Sequence, residues 1–250
     1  MSRGFSTLIA AGILLGSMAA PARGGMVLID DFSDGMVQLV IVNGTPANPL
    51  TDIDGSLTGV IGGERESMLL QAPPTGVSSF LVNNPDDEAA YGMANAQGNV
   101  MLTYDGAGQG GGATGLGVDL TGGGTNHFLF IDVLQADAGV VFTFQLTDSD
   151  GTIGTQSITT AGAVVNVGLL FPFLSFSGVG GTTPGLDLAS VERIKLTVSN
   201  ISGDKNTDTR FTLLAAVAPE PTSLALLGMA VLPLGIGAWR RTRRQKGAAA

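Results

Sequence analysis

Val140-Val141-Phe142-Thr143-Phe144-Gln145-Leu146-Thr147-Asp148 alternates apolar and polar side chains almost without a break. Val140, Phe142, Phe144 and Leu146 point one way, and Thr143, Gln145 and Thr147 the other. A period of two belongs to a half-buried strand, because successive Cβ atoms of extended backbone point to opposite faces. Residues 127–135 just before it read differently. Phe128, Phe130, Asp132 and Leu134 share one face, Leu129, Ile131 and Val133 the other. Both faces are mainly apolar, so a strand covered on both sides is expected there. The alternation returns at 193–200 through Ile194, Leu196 and Val198, and 210–217 supplies a last strand. Residues 36–43, 67–70, 78–82, 99–104 and 163–176 are further strand candidates. Asn43-Gly44, Asp54-Gly55, Asp105-Gly106, Asp150-Gly151 and Ser202-Gly203-Asp204 fall between the strands. These residue types accept positive φ and suit tight turns. Helix signals are missing between the two ends of the chain. Short strands punctuated by turns predict an all-β protein, a β-sandwich.

Three short stretches narrow the type of sandwich. Ile29-Asp30-Asp31-Phe32, Asp119-Leu120-Thr121 and Leu186-Asp187-Leu188-Ala189-Ser190-Val191 resemble the edge pattern of galactose-binding-like jelly rolls. The resemblance implies a jelly roll for the body, residues 25–218. One domain of that length buries a substantial core.

Charge and cysteine content exclude several chemistries. The body carries all of the Asp and Glu except Glu220, against five basic residues: Arg65, Arg193, Lys195, Lys205 and Arg210. Its net charge is near −15, which the whole-chain value of −9 conceals. Such a body repels nucleic acid and anionic surfaces. The absence of cysteine removes thiol catalysis, thiolate zinc sites and disulfide staples. His127 is the only histidine, so a multi-histidine metal site is excluded; it is expected to begin a strand. No serine sits in a Gly-x-Ser-x-Gly elbow. The glycine-rich stretch 106–117 lacks the Gly-Lys-Ser/Thr of a phosphate loop and precedes a strand, so it reads as a surface loop.

The carboxylates offer two candidate sites. Asp30, Asp31 and Asp34, near the start of the body, are candidate oxygen donors for a structural calcium ion, the one cofactor considered. Asp148-Ser149-Asp150-Gly151 opens like a calcium loop, but position 159 is Thr where a glutamate is required, so a polar turn is expected. Asp86-Asp87-Glu88 reads as a solvated loop after Asn83-Asn84-Pro85. Sugar-binding faces usually present Trp or Tyr. The body has no Trp and only Tyr91 and Tyr104, while Phe171, Phe173 and Phe176 are the ambiguous phenylalanines.

The two ends carry sorting information. Arg3, an apolar run at 5–18 and Ala20-Pro21-Ala22 have the order of a secretory signal peptide over 1–22. At the other end, Pro219-Glu220-Pro221 is followed by an uncharged apolar segment at 223–239, and a basic end follows at 240–246. Seventeen helical residues reach about 26 Å, slightly short of the roughly 30 Å hydrocarbon core, so a C-terminal transmembrane helix with little tilt and some snorkelling is expected. Arg240, Arg241, Arg243 and Arg244 would stop transfer and stay cytoplasmic, leaving the body outside. This tail, 219–246, resembles the sorting tail of the PEP-CTERM family of bacterial surface proteins. The resemblance implies that an exosortase, a membrane-embedded enzyme, reads Pro219, Glu220 and Pro221. It further implies a Gram-negative-type envelope, transient membrane anchoring and a link to exopolysaccharide or biofilm. The expected protein is therefore an exported, non-enzymatic surface or matrix protein. The alternatives are a carbohydrate-binding module of jelly-roll type and, third, a glycoside hydrolase.

Overall fold

Residues 25–43, 49–72, 76–84, 87–106, 115–179, 185–200 and 206–218 are described in the computed structural model. Among them run fourteen strands: β1 Val27–Asp30, β2 Val37–Val42, β3 Leu50–Gly55, β4 Glu64–Ala72, β5 Val77–Asn84, β6 Glu88–Ala94 and β7 Gln97–Tyr104, then β8 Phe128–Ala136, β9 Val140–Asp148, β10 Ile153–Thr159, β11 Val164–Pro172, β12 Ser177–Val179, β13 Val191–Asn200 and β14 Asn206–Val217. They pair into two seven-stranded sheets. The first has the order β11-β8-β14-β6-β5-β2, with β1 also paired to β14; the second runs β12-β10-β9-β13-β7-β4-β3. Every pairing is antiparallel. The molecule is a β-sandwich.

The alternation of β9 is realised as read. Val140, Phe142, Phe144 and Leu146 are fully buried between the sheets, with Thr143, Gln145 and Thr147 on the outer face. Across the sandwich they meet Leu129, Ile131 and Val133 of β8 and Phe211, Leu214 and Ala216 of β14 in one continuous core. Phe142 meets Phe211 edge-on at 6.4 Å between ring centres, and Phe144 meets Phe171 in the same way at 4.8 Å. Such edge-to-face contacts place positive ring edges on negative ring faces.

Several expectations need correction. β8 is covered on one side only: Leu129, Ile131 and Val133 are buried, whereas Phe128, Phe130, Asp132 and Leu134 are half-buried on the outer face. The strand expected at 163–176 stops at Pro172, whose ring removes a backbone donor, and Phe173–Ser175 form a 3-10 turn. Asp54 and Gly55 lie inside β3, and Ser56 takes the positive φ of 64° in their place. Asp150-Gly151 is a turn as expected, with Gly151 at φ 79°. β1, β3, β6, β10 and β12 were not anticipated. No helix of the described residues is long and apolar enough to cross a membrane. The transmembrane helix expected over 223–239 lies outside the described residues. So do the signal peptide 1–22, the motif Pro219, Glu220 and Pro221, and the stop-transfer arginines Arg240, Arg241, Arg243 and Arg244.

Candidate ligand-binding face

Asp30, Asp31 and Asp34 lie together in sequence, but each is held by a different partner. Asp30, at the end of β1, is fully buried. Its Oδ1 accepts the Phe32 N–H at 2.8 Å, closing the turn that puts Phe32 at φ 56°. The same carboxylate takes both of its oxygens to Arg65 Nη1, at 3.2 and 3.0 Å, and accepts the Tyr104 hydroxyl at 2.8 Å. Arg65 is itself fully buried; its Nη2 donates to the Asp34 carbonyl at 3.0 Å and to Asp54 at 3.4 Å, and its guanidinium carbon stands 5.7 Å from the Phe32 ring centre. The cation that Asp30 meets in this structure is therefore a guanidinium. Burial pushes the Asp30 carboxyl up, against the pull of Arg65, the Phe32 N–H and Tyr104. Burial also pushes the Tyr104 hydroxyl well up, and Asp30 adds to it. Arg65 is drawn down by burial, but Asp30 and its other neighbours more than restore the charge, and the net direction is up.

Asp31 and Asp34 stay near the surface. Asp31 Oδ1 accepts the Ser33 N–H at 3.1 Å and hydroxyl at 2.6 Å. Asp34 Oδ2 accepts the Thr58 N–H and hydroxyl, and Oδ1 the Gly35 N–H. These bonds, the Thr58 N–H first, hold its carboxyl below the ordinary range. Among the described residues, no three His, Asp or Glu side chains are grouped so as to hold a metal ion. Asp148 serves its turn, accepting the Asp150, Thr152 and Asp187 N–H groups.

The acidic cluster at 86–88 also differs from expectation. Glu88 opens β6 and is fully buried, gripped by Arg210 of β14 through Nε at 2.9 and 3.0 Å and through Nη2 at 2.5 Å. A fork of this kind is the strong form of an ion pair. Its partner lies 122 positions away, which no local pattern reveals.

Tyr91 and Tyr104, the only tyrosines of a body whose few aromatics argue against strong sugar binding, are both buried, as is Phe171. Phe173 and Phe176 pack against the core from its edge. Phe128 and Phe130 are left as half-buried rings outside the core cluster, on the outer face of the first sheet. The register sets their neighbours. Pro172, Phe128 and Val217 form one row; Leu170, Phe130, Ala215 and Leu28 the next; Gly168, Asp132 and Leu213 a third. Phe130 leans across β11 onto Gly168: a Cβ built there would lie 2.5 Å from Phe130 Cε2. The glycine thus makes room for the ring to lie over the sheet. One row on, Asp132 Oδ2 accepts the Thr212 hydroxyl at 3.4 Å, and the Arg210–Glu88 fork stands on the same face beyond it. The second sheet presents Thr103, Lys195 and Gln145 in one outer row and Met101, Thr197, Thr143 and Ser157 in the next. That is the ordinary polar exterior of an antiparallel sandwich. The apolar exterior of the first sheet is the departure from it.

No family model matches the chain, and no curated protein matches it. Among solved structures, the family 11 carbohydrate-binding module of a cellulosomal cellulase of Clostridium thermocellum is 14% identical, over 78% of this chain and 95% of its own, with a TM-score of 0.35. A solution structure titled for dynamics and binding studies of CtCBM11 gives 16%, 80%, 98% and 0.39. An exo-β-agarase is 15% identical over 77% of this chain and 25% of its own, with a TM-score of 0.39.

Proposed function

We propose that this chain is an exported, non-enzymatic surface protein whose β-sandwich, of jelly-roll type, binds an uncharged polysaccharide on the outer face of the first sheet. The observation that carries the reading is Phe130, laid over Gly168 with exposed apolar Leu170 in its own row and hydrogen-bonding Asp132, Thr212 and Arg210 beyond. A pyranose ring has an apolar C–H face and a rim of hydroxyls, and this row order offers one surface for each. The polymer is uncharged because a body near −15 repels an acidic one. The non-enzymatic part rests on the use made of the carboxylates. Asp30, turned inward by β1, and Glu88, buried on the outer face of the first sheet, are held by Arg65 and Arg210. The sorting tail read from Pro219, Glu220 and Pro221 then holds the module at the membrane until an exosortase acts.

Affinity electrophoresis of the detergent-solubilised chain through gels containing neutral β-glucans and galactans tests this. The parent should be retarded by at least one polymer, and Phe130→Ala should migrate as in a blank gel while still melting cooperatively. A parent that no neutral polymer retards, or a Phe130→Ala variant retarded like the parent, removes the reading. Release of reducing ends during the run would move it to the hydrolases.

A further inference from the structure

An open sheet ends in edge strands whose outer N–H and C=O groups have no neighbouring strand, and folds blunt such edges with charge, proline, bulges or shortness. Among the described residues, three of the four edges are blunted. β3, at one end of the second sheet, carries Asp52 and Asp54, and β12, at its other end, has three residues. β11 closes one end of the first sheet; it leaves the extended conformation at Asn166, where φ is 52°, and stops at Pro172. β2 closes the other end and has none of these devices. Val37-Gln38-Leu39-Val40-Ile41-Val42 is uncharged, free of proline and in unbroken register with residues 77–82 of β5. Its inner row, Val37, Leu39 and Ile41, is core. In the outer row Val40 and Val42 stand 42% and 51% exposed, and Val42 lies opposite exposed Val77. Among the described residues no strand pairs with the open side of β2.

Backbone and charge set what fits there. A row of unpaired amides is met by an extended peptide rather than by a sugar or a lipid. A strand rich in lysine or arginine gains more on β3, opposite Asp52 and Asp54, than on β2. Uncharged β2 is matched by an uncharged strand, and β2 is itself one. We infer that β2 is the contact of a two-fold dimer, in which it pairs antiparallel with β2 of a second copy and joins the two first sheets edge to edge. Directly opposite residues of an antiparallel pair share a face, so an axis through Val40 sets Val40 against Val40, Gln38 against Val42 and Leu39 against Ile41. No charge faces a like charge along that ladder, whereas two bodies near −15 meet like charge over most of their surface. Asp34 precedes β2, and Asp52 and Asp54 lie on neighbouring β3; they accept hydrogen bonds from Thr58, Ile53 and Arg65. Their charge opposes the approach of a second copy, so salt tightens the contact. The axis stands perpendicular to the sheet, and both Phe130 faces therefore look the same way. One polymer can then engage both with avidity, a consequence that alone rests on the polysaccharide reading.

Sedimentation velocity of the full chain in a non-ionic detergent tests the contact without any polysaccharide. The parent is expected as a dimer that tightens as salt is raised. Val40→Lys sets a cation against itself across the axis and should raise the dimer Kd at least about tenfold, with Tm unchanged because the side chain lies on the surface. Val165→Lys, on the β11 edge, should sediment like the parent. The chain has no cysteine, so cross-linking gives a second readout. Across the axis the Cβ atoms stand about 4.5–5.5 Å apart, and copper phenanthroline should link Val40→Cys into a covalent dimer while Val165→Cys stays monomeric on a denaturing gel. A parent that is monomeric throughout overturns the inference. A folded Val40→Lys variant as dimeric as the parent also overturns it, and assigns association to the tail or another surface. Growth past the dimer shows head-to-tail pairing and overturns it as well. Should Val40→Lys fail to fold, the cysteine variants decide, and equal cross-linking at the two positions sinks the idea.

Discussion

Arg65→Met is the sharpest test of what holds the sandwich together at its buried charge cluster. The substitution keeps much of the side-chain volume and removes the guanidinium that bonds Asp30, the Asp34 carbonyl and Asp54. Asp30 is fully buried and keeps only the Phe32 N–H and the Tyr104 hydroxyl. Breaking a buried pair from one side costs about 3–5 kcal/mol, because the remaining charge is uncompensated. For a domain of this size each kcal/mol moves Tm by about 2–4 °C, so a fall of roughly 6–20 °C at pH 7 is expected by differential scanning calorimetry. The double variant Arg65→Met/Asp30→Asn retains a side-chain acceptor for Phe32 and Tyr104 without the charge. It should melt above Arg65→Met alone, a non-additivity that marks direct coupling.

The pH dependence has a definite sign. Burial already pushes the Asp30 carboxyl up in the parent, against Arg65. Removing Arg65 raises it further, so the variant's folded state holds a proton that the unfolded chain, near the ordinary carboxylate range, gives up. Stability tied to that proton is present below the unfolded pKa and is lost as pH rises through the folded one. The deficit of Arg65→Met should therefore shrink from pH 7 toward pH 4. A deficit of the same size at both pH values, matched by the double variant, would show that Arg65 acts by packing over Phe32 rather than by charge.

Arg210→Ala leaves Glu88 buried without its fork and should lower stability by about 1–3 kcal/mol, read as a shift in the urea midpoint with the slope unchanged. Gly168→Ala puts a methyl 2.5 Å from the Phe130 ring, so the ring must lift; polysaccharide retention should fall with little loss of Tm, and unchanged retention would disconnect the ring from binding. Millimolar calcium should leave Tm where a chelator leaves it, since Asp30 is already satisfied by Arg65, Tyr104 and Phe32; a clear rise would place an ion among Asp30, Asp31 and Asp34. Joint replacement of Pro219, Glu220 and Pro221 by alanine should leave export intact while a tail-bearing form accumulates in the membrane of a host with an exosortase. Trimming like that of the parent would show that the motif is only a spacer.

The elements read correctly from sequence are those whose local pattern and final environment agree. β9 alternates because one of its faces is core and the other solvent, and nothing distant alters that. β6, Glu-Ala-Ala-Tyr-Gly-Met-Ala, has small residues of weak strand preference, and it is a strand because β5 and β14 flank it. No window of its own sequence contains those neighbours. Phe128 and Phe130 make the same point about the candidate site. Alternation correctly separated them from Leu129 and Ile131, but whether a second apolar face meets another layer depends on how many layers the fold has. Covered on both sides was the inference from periodicity; a sandwich has only two sheets, so the second face looks outward. The carboxylates failed for a related reason. Asp30 and Glu88 read as solvated or metal-binding because their partners, Arg65 and Arg210, stand 35 and 122 positions away. In a body with five basic residues, two are committed to acids that the fold buries, and so few cations leave the net charge strongly negative. Acids that remain at the turns, such as Asp119 and Asp187, are held by the backbone N–H groups of their own loops, a local arrangement that sequence does show.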